Sequence, residues 1–525
     1  MRRGCLIRWF GPSSGPSMSG SWAWARLPKV DTDVTSSRLR SIEEKRSMGP
    51  NPRVTAAPLV DAWQRARARR MRPLQVPGHK NRFAEGGVVL GSDLLGDLIR
   101  DDLPLQGGAD DNGYTGGYLA QAEALWAASV GGDHARFLVG GSSQGNITSL
   151  VAAGGPERRV AVDRTSHRSA LAGLVISGSD PVWVFPEIHP EFGLPLGVRP
   201  ESLARLAGDV VAVFVTSPTY VGTISDVRGL AEQCDADDRT LIVDQAWGAH
   251  LGFMPGRGAI DQGADIVTTS VHKALMGYSQ TAVVTVRGDR IDATRLDRAV
   301  DLTATTSPSA TLMASIDATR AVMDRNGEDA LASAIESTSR MRAALRRVPG
   351  LVVIDEGELG QACDPLKLTL WLPRTGVNGV ELAHLLWEQG NGVEVADVDS
   401  IVMTISLLDE PAFCEETTAM LVGLVERLRG EPRAPAPAAL WQVVPEVVMT
   451  PRAAYFAPRR RIKLADAVGE VSAEQFCPYP PGVPLLAPGE RITAEVVRDI
   501  AEAGRIGRVA YCSDPTLETV EVVDA

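Results

Sequence analysis

Between residues 135 and 286 the chain alternates short apolar runs with helical patterns, and this rhythm limits the folds open to it. The runs fall at 135–139, 160–162, 182–185, 210–215, 241–243, 266–267 and 281–286. Most are β-branched and lack polar alternation, as expected of parallel strands covered on both faces. Helices between such strands predict a doubly wound α/β domain, with ligands bound at the carboxyl ends of the strands.

Polar residues collect at those ends. The first run is followed by Gly140-Gly141-Ser142-Ser143-Gln144-Gly145-Asn146, which opens a helix. Free N–H groups and the helix dipole there favour an anion such as phosphate, although a plain helix cap would use the same residues. The segment is neither a GxxxxGK[ST] loop nor a GxGxxG fingerprint. Later runs lead into Asp163-Arg164-Thr165-Ser166-His167, Thr216-Ser217-Pro218-Thr219-Tyr220 and Asp244-Gln245-Ala246-Trp247. The run at 266–267 leads into Thr268-Thr269-Ser270-Val271-His272-Lys273. A lysine carried from a strand end into a polar pocket is a candidate Schiff-base nucleophile, because burial lowers its pKa and frees the amine. A lone lysine is weak evidence, but successive strand ends here supply a phosphate cradle, a histidine, a carboxylate and a lysine.

Charge and cysteine usage exclude several alternatives. Sixty-five acidic residues against 53 basic ones give a net charge of −12, which argues against nucleic acid as the main partner. Six scattered cysteines form no CxxC pair and no metal-ligand spacing, so reduced thiols in a cytoplasmic protein are expected and no metal site is. No apolar run approaches the ~20 residues that span a bilayer. Residues 1–50 are rich in Ser, Gly and Arg and read as a disordered extension.

Four further segments carry a family resemblance. They are Pro77-Gly78-His79-Lys80; Ser270-Val271-His272-Lys273 with Ser279-Gln280; Thr305-Thr306-Ser307-Pro308-Ser309; and Pro478-Tyr479-Pro480-Pro481-Gly482-Val483-Pro484 with Pro488-Gly489-Glu490. Together they resemble the Orn/Lys/Arg decarboxylases, in their shorter biosynthetic form, within the fold-type I pyridoxal-phosphate superfamily. The resemblance implies a large domain with a mainly parallel sheet, a small α/β domain and a C-terminal domain. It implies pyridoxal 5'-phosphate held by Lys273 as a Schiff base, with Asp244 facing the pyridine nitrogen and His167 stacked on the ring. Lys273, His167 and Asp244 would be the catalytic residues. Ser142, Ser143 and His272 would hold the phosphate, and Ala246 and Ser270 would complete the cofactor shell. The site would lie at a homodimer interface, or in a higher homo-oligomer, with Ser307 reaching the other subunit's phosphate.

The implied reaction is decarboxylation of arginine, lysine or ornithine to agmatine, cadaverine or putrescine, in polyamine or diamine synthesis. An aminotransferase or a β/γ-eliminating lyase is the alternative on the same scaffold. A basic substrate needs a carboxylate for its distal cation. Candidates are Asp102, Asp111 and, preferred, Glu394, with His79 a further candidate substrate contact. Two departures from the family pattern, Val221 after Tyr220 and the segment Asp102-Leu103-Pro104-Leu105, are expected to bear on substrate choice. The expected organisation is an N-terminal arm at 51–85, the large domain at 86–330 and the small domain at 331–430. A linker at 431–440 then leads to the C-terminal domain at 441–525.

Overall fold

The computed structural model describes residues 56–69, 77, 79, 101–111, 115–436, 446–479, 482–505 and 509–524. The extension expected at 1–50 lies outside them, as do Gly78, Lys80, Pro480 and Pro481 of the quoted segments.

Seven strands form the main sheet. They are β1 (His134–Leu138), β2 (Arg159–Asp163), β3 (Asp180–Val184), β4 (Val210–Thr216), β5 (Thr240–Asp244), β6 (Ile266–Ser270) and β7 (Ala282–Val286), in the order β1-β7-β6-β5-β4-β2-β3. The pairs among β3, β2, β4, β5 and β6 are parallel, whereas β7 is antiparallel to both β6 and β1. The run at 281–286 is therefore not a parallel strand. Between Ser270 and Ala282 the chain has only a one-turn helix, Val271–Ala274, and a turn. That is too little for a parallel crossover, which needs a dozen or more residues.

The register sets the strand ends level. Asp244 pairs with Thr216 on one side and Thr268 on the other, so the carboxyl ends of β4, β5 and β6 open at one height. Helix α1 (Pro58–Ala68) and helix α2 (Tyr118–Ser129) precede β1. After β1 comes α3 (Gly141–Ala153), then α4 (Arg168–Ser177) after β2 and α5 (Val227–Ala236) after β4. One apolar cluster joins Leu150, Leu171 and Leu174 of α3 and α4 to Val162, Phe214 and Ile242 of the sheet. Another joins Leu230 and Cys234 of α5 to Val213, Val215, Leu241 and Val243. Both faces are thus covered, which explains why the runs carry no polar alternation.

After β7 the chain forms α6 (Ala293–Thr303) and then α7 (Ala310–Leu345), a helix of 36 residues. At 1.5 Å per residue α7 is roughly 54 Å long. Its first half packs under α1, where Asp317 and Arg320 are fully buried. Asp317 accepts from the Leu59 amide at 2.9 Å, and Arg320 donates to Asp317 at 2.8 Å. Its second half packs Met341 and Leu345 against a four-stranded antiparallel sheet. That sheet has the order β10-β11-β9-β8, formed by β8 (Val352–Ile354), β9 (Lys367–Trp371), β10 (Val395–Ala396) and β11 (Ser400–Thr404). Helices α8 (Gly379–Glu388) and α9 (Pro411–Leu428) complete this layer. Residue 330 falls inside α7, so one continuous helix serves both sheets.

The C-terminal segment docks on the main sheet through a buried ion pair. Arg164, just past β2, donates to Glu490 at 2.7 and 3.0 Å and to the Leu485 carbonyl at 2.8 Å. Both side chains are almost wholly buried. Glu490 also accepts from the Ala487 amide, and the guanidinium lies 4.6 Å from the centre of the Trp183 ring. Gly489 has φ +90°, and a Cβ there would fall 2.2 Å from the Met449 carbonyl oxygen, so the Pro-Gly-Glu segment needs its glycine. Among the described residues no helix is long and apolar enough to cross a membrane.

Removing one partner of such a pair leaves a buried charge unmatched. Glu490→Gln is expected to lower stability by about 3–5 kcal/mol. The double change Arg164→Met with Glu490→Leu should recover most of that loss, as read by urea denaturation of the three proteins.

Candidate active site

A cavity of about 370 Å³ opens at the level ends of the strands, within the range of small-molecule sites. Ser142, Ser143, His167, Asp244, Ala246, His272 and Lys273 all line it. With Thr216 and Tyr220 from the end of β4 also in the lining, residues from five separate strand ends meet in one place.

The α3 end of the cavity is a cradle without a lid. Gly140 is the N-cap of α3 and no side chain caps the helix, so its first-turn N–H groups and the helix dipole face the cavity at Ser142 and Ser143. Gly141 has φ +70°, a conformation that disfavours any side chain. One turn on, a Cβ at Gly145 would lie 2.5 Å from the Thr268 methyl, so the glycine lets α3 press directly onto β6.

Asp244 ends β5 and is 2 % exposed. Its carboxylate accepts from the Asn146 side-chain amide at 2.7 Å and from the Ala246 backbone amide at 3.0 Å. Burial raises its pKa, while the Lys273 ammonium and the Asn146 and Ala246 donors act against that rise. The Asn146 amide also donates to Ser169 at 2.9 Å, and Ser169 lies 2.8 Å from His167 Nδ1. The Ser169 backbone N–H donates to the same Nδ1, so the neutral imidazole carries its proton on Nε2. Burial, aided by Lys273 and Arg168, lowers the His167 pKa to about 4. This ring is uncharged at neutral pH. Asp163, at the end of β2, is likewise buried and raised to about 6, although Thr165 and Thr216 donate to it.

Lys273 follows β6 on the one-turn helix. Burial lowers its pKa, and Asp244 and Glu394 pull the other way. Its Nζ lies 3.6 Å from the centre of the Trp247 ring. The neighbouring His272 Nδ1 is 2.9 Å from the Thr281 carbonyl and so donates to it. Ser270 is fully buried, and its hydroxyl has no hydrogen-bond partner.

Other expected residues lie elsewhere. Ser307 is exposed and outside the cavity lining, with its amide donating to Thr305 Oγ1. His79 Nε2 is 3.0 Å from Asp102, away from the lining. Glu394 is exposed, yet it is close enough to act electrostatically on Lys273. Val221 is 3 % exposed and packs with Phe192 and Trp371, so this departure faces the core and not the cavity. Leu103 and Leu105 are also buried, and the Leu105 amide donates to the Pro308 carbonyl. That departure braces the 305–309 segment.

Sequence reasoning assigned no role to Asn146, Ser169, Trp247, Val483 or Lys367. Asn146 and Trp247 sat inside quoted motifs and could have been singled out there. Val483 lines the cavity from the C-terminal segment, and the adjacent Gly482 carbonyl accepts from the Arg168 amide. No local pattern marks Lys367, which lies in an apolar strand.

A histidine whose native pKa lies below its ordinary 6.5 makes the unfolded chain bind more protons between pH 6.5 and about 4. Stability contributed through His167 is therefore complete above pH 6.5 and falls on acidification across that window. Urea denaturation of wild type and His167→Asn at several pH values should show a shallower acid loss in the variant.

Comparison with known proteins agrees with this architecture. Residues 57–371 match the Orn/Lys/Arg decarboxylase major domain, and residues 436–501 match the C-terminal domain of the same family. An arginine decarboxylase of Halalkalibacterium halodurans is 30% identical over 461 residues, covering 85% of this chain and 94% of the relative. The arginine decarboxylase of Bacillus subtilis is 29% identical over 483 residues, covering 89% and 97%. The structure of lysine decarboxylase A from Pseudomonas aeruginosa superposes with a TM-score of 0.74 at 20% identity, covering 95% of this chain and 84% of that one. The matched segments run from helix α1 through the main sheet and β9 and on into the C-terminal segment, and the chain belongs to the Orn/Lys/Arg decarboxylase family.

Proposed function

We propose that the protein decarboxylates arginine to agmatine with pyridoxal 5'-phosphate as cofactor, working in the cytoplasm as a homodimer or larger homo-oligomer and supplying polyamine synthesis. The observation that carries this reading is the meeting of Lys273, Asp244, His167 and the uncapped α3 N-terminus around one cavity. Arginine is favoured over lysine and ornithine because the relatives matched along nearly their whole length, at 28–30% identity, are arginine decarboxylases. The lysine decarboxylases match at 22–24% over about two thirds of theirs.

The residues present fit this cofactor. The first turn of α3, with Ser142, Ser143 and His272, would hold the phosphate. Ser270, fully buried two residues before His272 with an unpartnered hydroxyl, is proposed to complete the cofactor shell. Asp244 is a buried carboxylate that a cationic ring nitrogen would balance. His167, neutral and flat, offers an uncharged face for stacking, and Ala246 lines the same wall. When bound, pyridoxal phosphate supplies an electron sink for the charge left at the substrate α-carbon as carbon dioxide departs.

The protein's part is orientation, exclusion of water and proton handling. Burial makes the Lys273 amine less basic, which favours the form that would hold the cofactor covalently. Lys273 can return a proton when the product leaves. Asn146 and the Ala246 amide hold the Asp244 carboxylate in one orientation, so its charge is directed and not free to rotate. Val483 and the backbone bond from Arg168 to Gly482 close the cavity from the C-terminal side. Glu394 is the carboxylate proposed for the distal guanidinium. Ser307, exposed in a single chain, is proposed to face the second subunit's site.

The test is a product assay with arginine, lysine and ornithine in separate reactions, following carbon dioxide and amine together. Carbon dioxide with agmatine is expected from arginine alone. Release from lysine or ornithine at comparable kcat/KM would reject the substrate assignment, and keto-acid formation without carbon dioxide would reject the reaction. Lys273→Ala should abolish both turnover and the visible absorbance of the loaded enzyme. Asp244→Asn should keep bound cofactor but lower kcat at least ~100-fold, the scale on which a single electrostatic contact at the reacting centre acts.

A further inference from the structure

A second lysine lies against the site from the small sheet. Lys367 opens β9, is 2 % exposed, and carries its Nζ 3.8 Å from the centre of the same Trp247 ring that Lys273 approaches at 3.6 Å. The two ammonium groups are thus closer together than the ~8 Å screening length of physiological salt, with the Trp247 indole as their shared neighbour. Lys367 does not line the cavity, so it reaches the chemistry only through Trp247 and through its charge.

Burying a lysine is unfavourable unless something holds it. Lys367 Nζ donates to Thr404 Oγ1 on β11 at 2.8 Å. Its acidic neighbours are Asp364 and Glu394. Asp364 is already engaged by His250 at 2.9 Å and by the Leu366 amide. Glu394 is exposed and shared with Lys273. Burial pushes the Lys367 pKa down to about 8, with Lys273 contributing in the same direction. A structural lysine would be expected to own a carboxylate, and this one owns none. What it has is an aromatic ring, which attracts a cation, and a second cation against the same ring.

The geometry points to Lys367 as a positioning residue of the active site: it steadies the Trp247 ring from the small-sheet side and sets a positive charge near Lys273 that favours the unprotonated nitrogen there. Asp244 and Glu394 pull Lys273 toward its charged form while burial opposes them; a second ammonium against the same indole adds a like-charge repulsion that acts with burial. Because Lys367 sits on β9 and Lys273 follows β6, the electrostatics of the reacting nitrogen depend on how the small sheet packs against the large one.

The inference rests on Lys273 as the cofactor-bearing lysine, and its test separates the two. The visible absorbance of the loaded enzyme is titrated with pH in wild type, Lys367→Met and Lys367→Arg, with thermal melts to verify folding. Methionine keeps the volume and removes the charge, while arginine keeps the charge. The nitrogen on Lys273 should hold its proton to higher pH in Lys367→Met, raising the spectral midpoint by about one pH unit. Lys367→Arg should titrate close to wild type. Lys367→Gln, neutral but still able to donate to Thr404, takes the place of the methionine variant if that protein does not fold. An unmoved or lowered midpoint in the neutral variant overturns the inference while leaving Lys273 in place. Equal shifts in the neutral and arginine variants also overturn it, since they would report shape and not charge. A wild-type protein without visible absorbance overturns both readings.

Discussion

The site depends on holding a carboxyl group in one orientation where water cannot reach it. Asp244 lies at the end of a strand buried on both faces, and burial by itself drives such a group toward its neutral form. Two N–H donors and a nearby ammonium oppose that tendency. The same Asn146 that donates to Asp244 is tied through Ser169 to His167, so the carboxylate and the imidazole are oriented by one connected network. Partly satisfied polar networks in low dielectric are costly, and the Asn146 carbonyl and the Ser270 hydroxyl are buried here without a partner.

The architecture supplies this network through register and close approach. Thr216, Asp244 and Thr268 are level across three parallel strands, and Gly145 lets α3 touch β6, bringing its N-terminus to that height. From the far side the C-terminal segment is anchored by Arg164 and Glu490 and inserts Val483 into the cavity wall. Arg164 lies only three residues before His167, so the docking of a segment more than 300 residues away is coupled to the loop that holds the imidazole. This gives the Pro-Gly-Glu signature a physical role: a buried carboxylate locks the tail onto the loop of β2.

The two departures from the family pattern, Val221 and the segment Asp102-Leu103-Pro104-Leu105, were expected to bear on substrate choice because they break that pattern, and the fold shows where they lie. Strand and loop geometry turns Val221 into the core and uses Leu105 to brace the 305–309 segment. The seventh apolar run, expected to be parallel, is antiparallel because the connection before it is too short for a crossover.

Much was nonetheless legible in one dimension. Short apolar runs ending in polar residues determine a covered, mainly parallel sheet with its chemistry at the strand ends, since backbone burial on both faces permits little else. The order of cradle, histidine, carboxylate and lysine along the chain was likewise readable, and the segments at 270–273 and 478–490 carried the family. Only the tertiary structure decided which neighbours those residues have. Lys367 carries no mark in sequence until β9 is laid beside Trp247, and Glu490 belongs to a quoted signature whose partner, Arg164, only the fold supplies. Ionisation and charge pairing depend on through-space distance and solvent exclusion, and neither is encoded in the local spacing of residues.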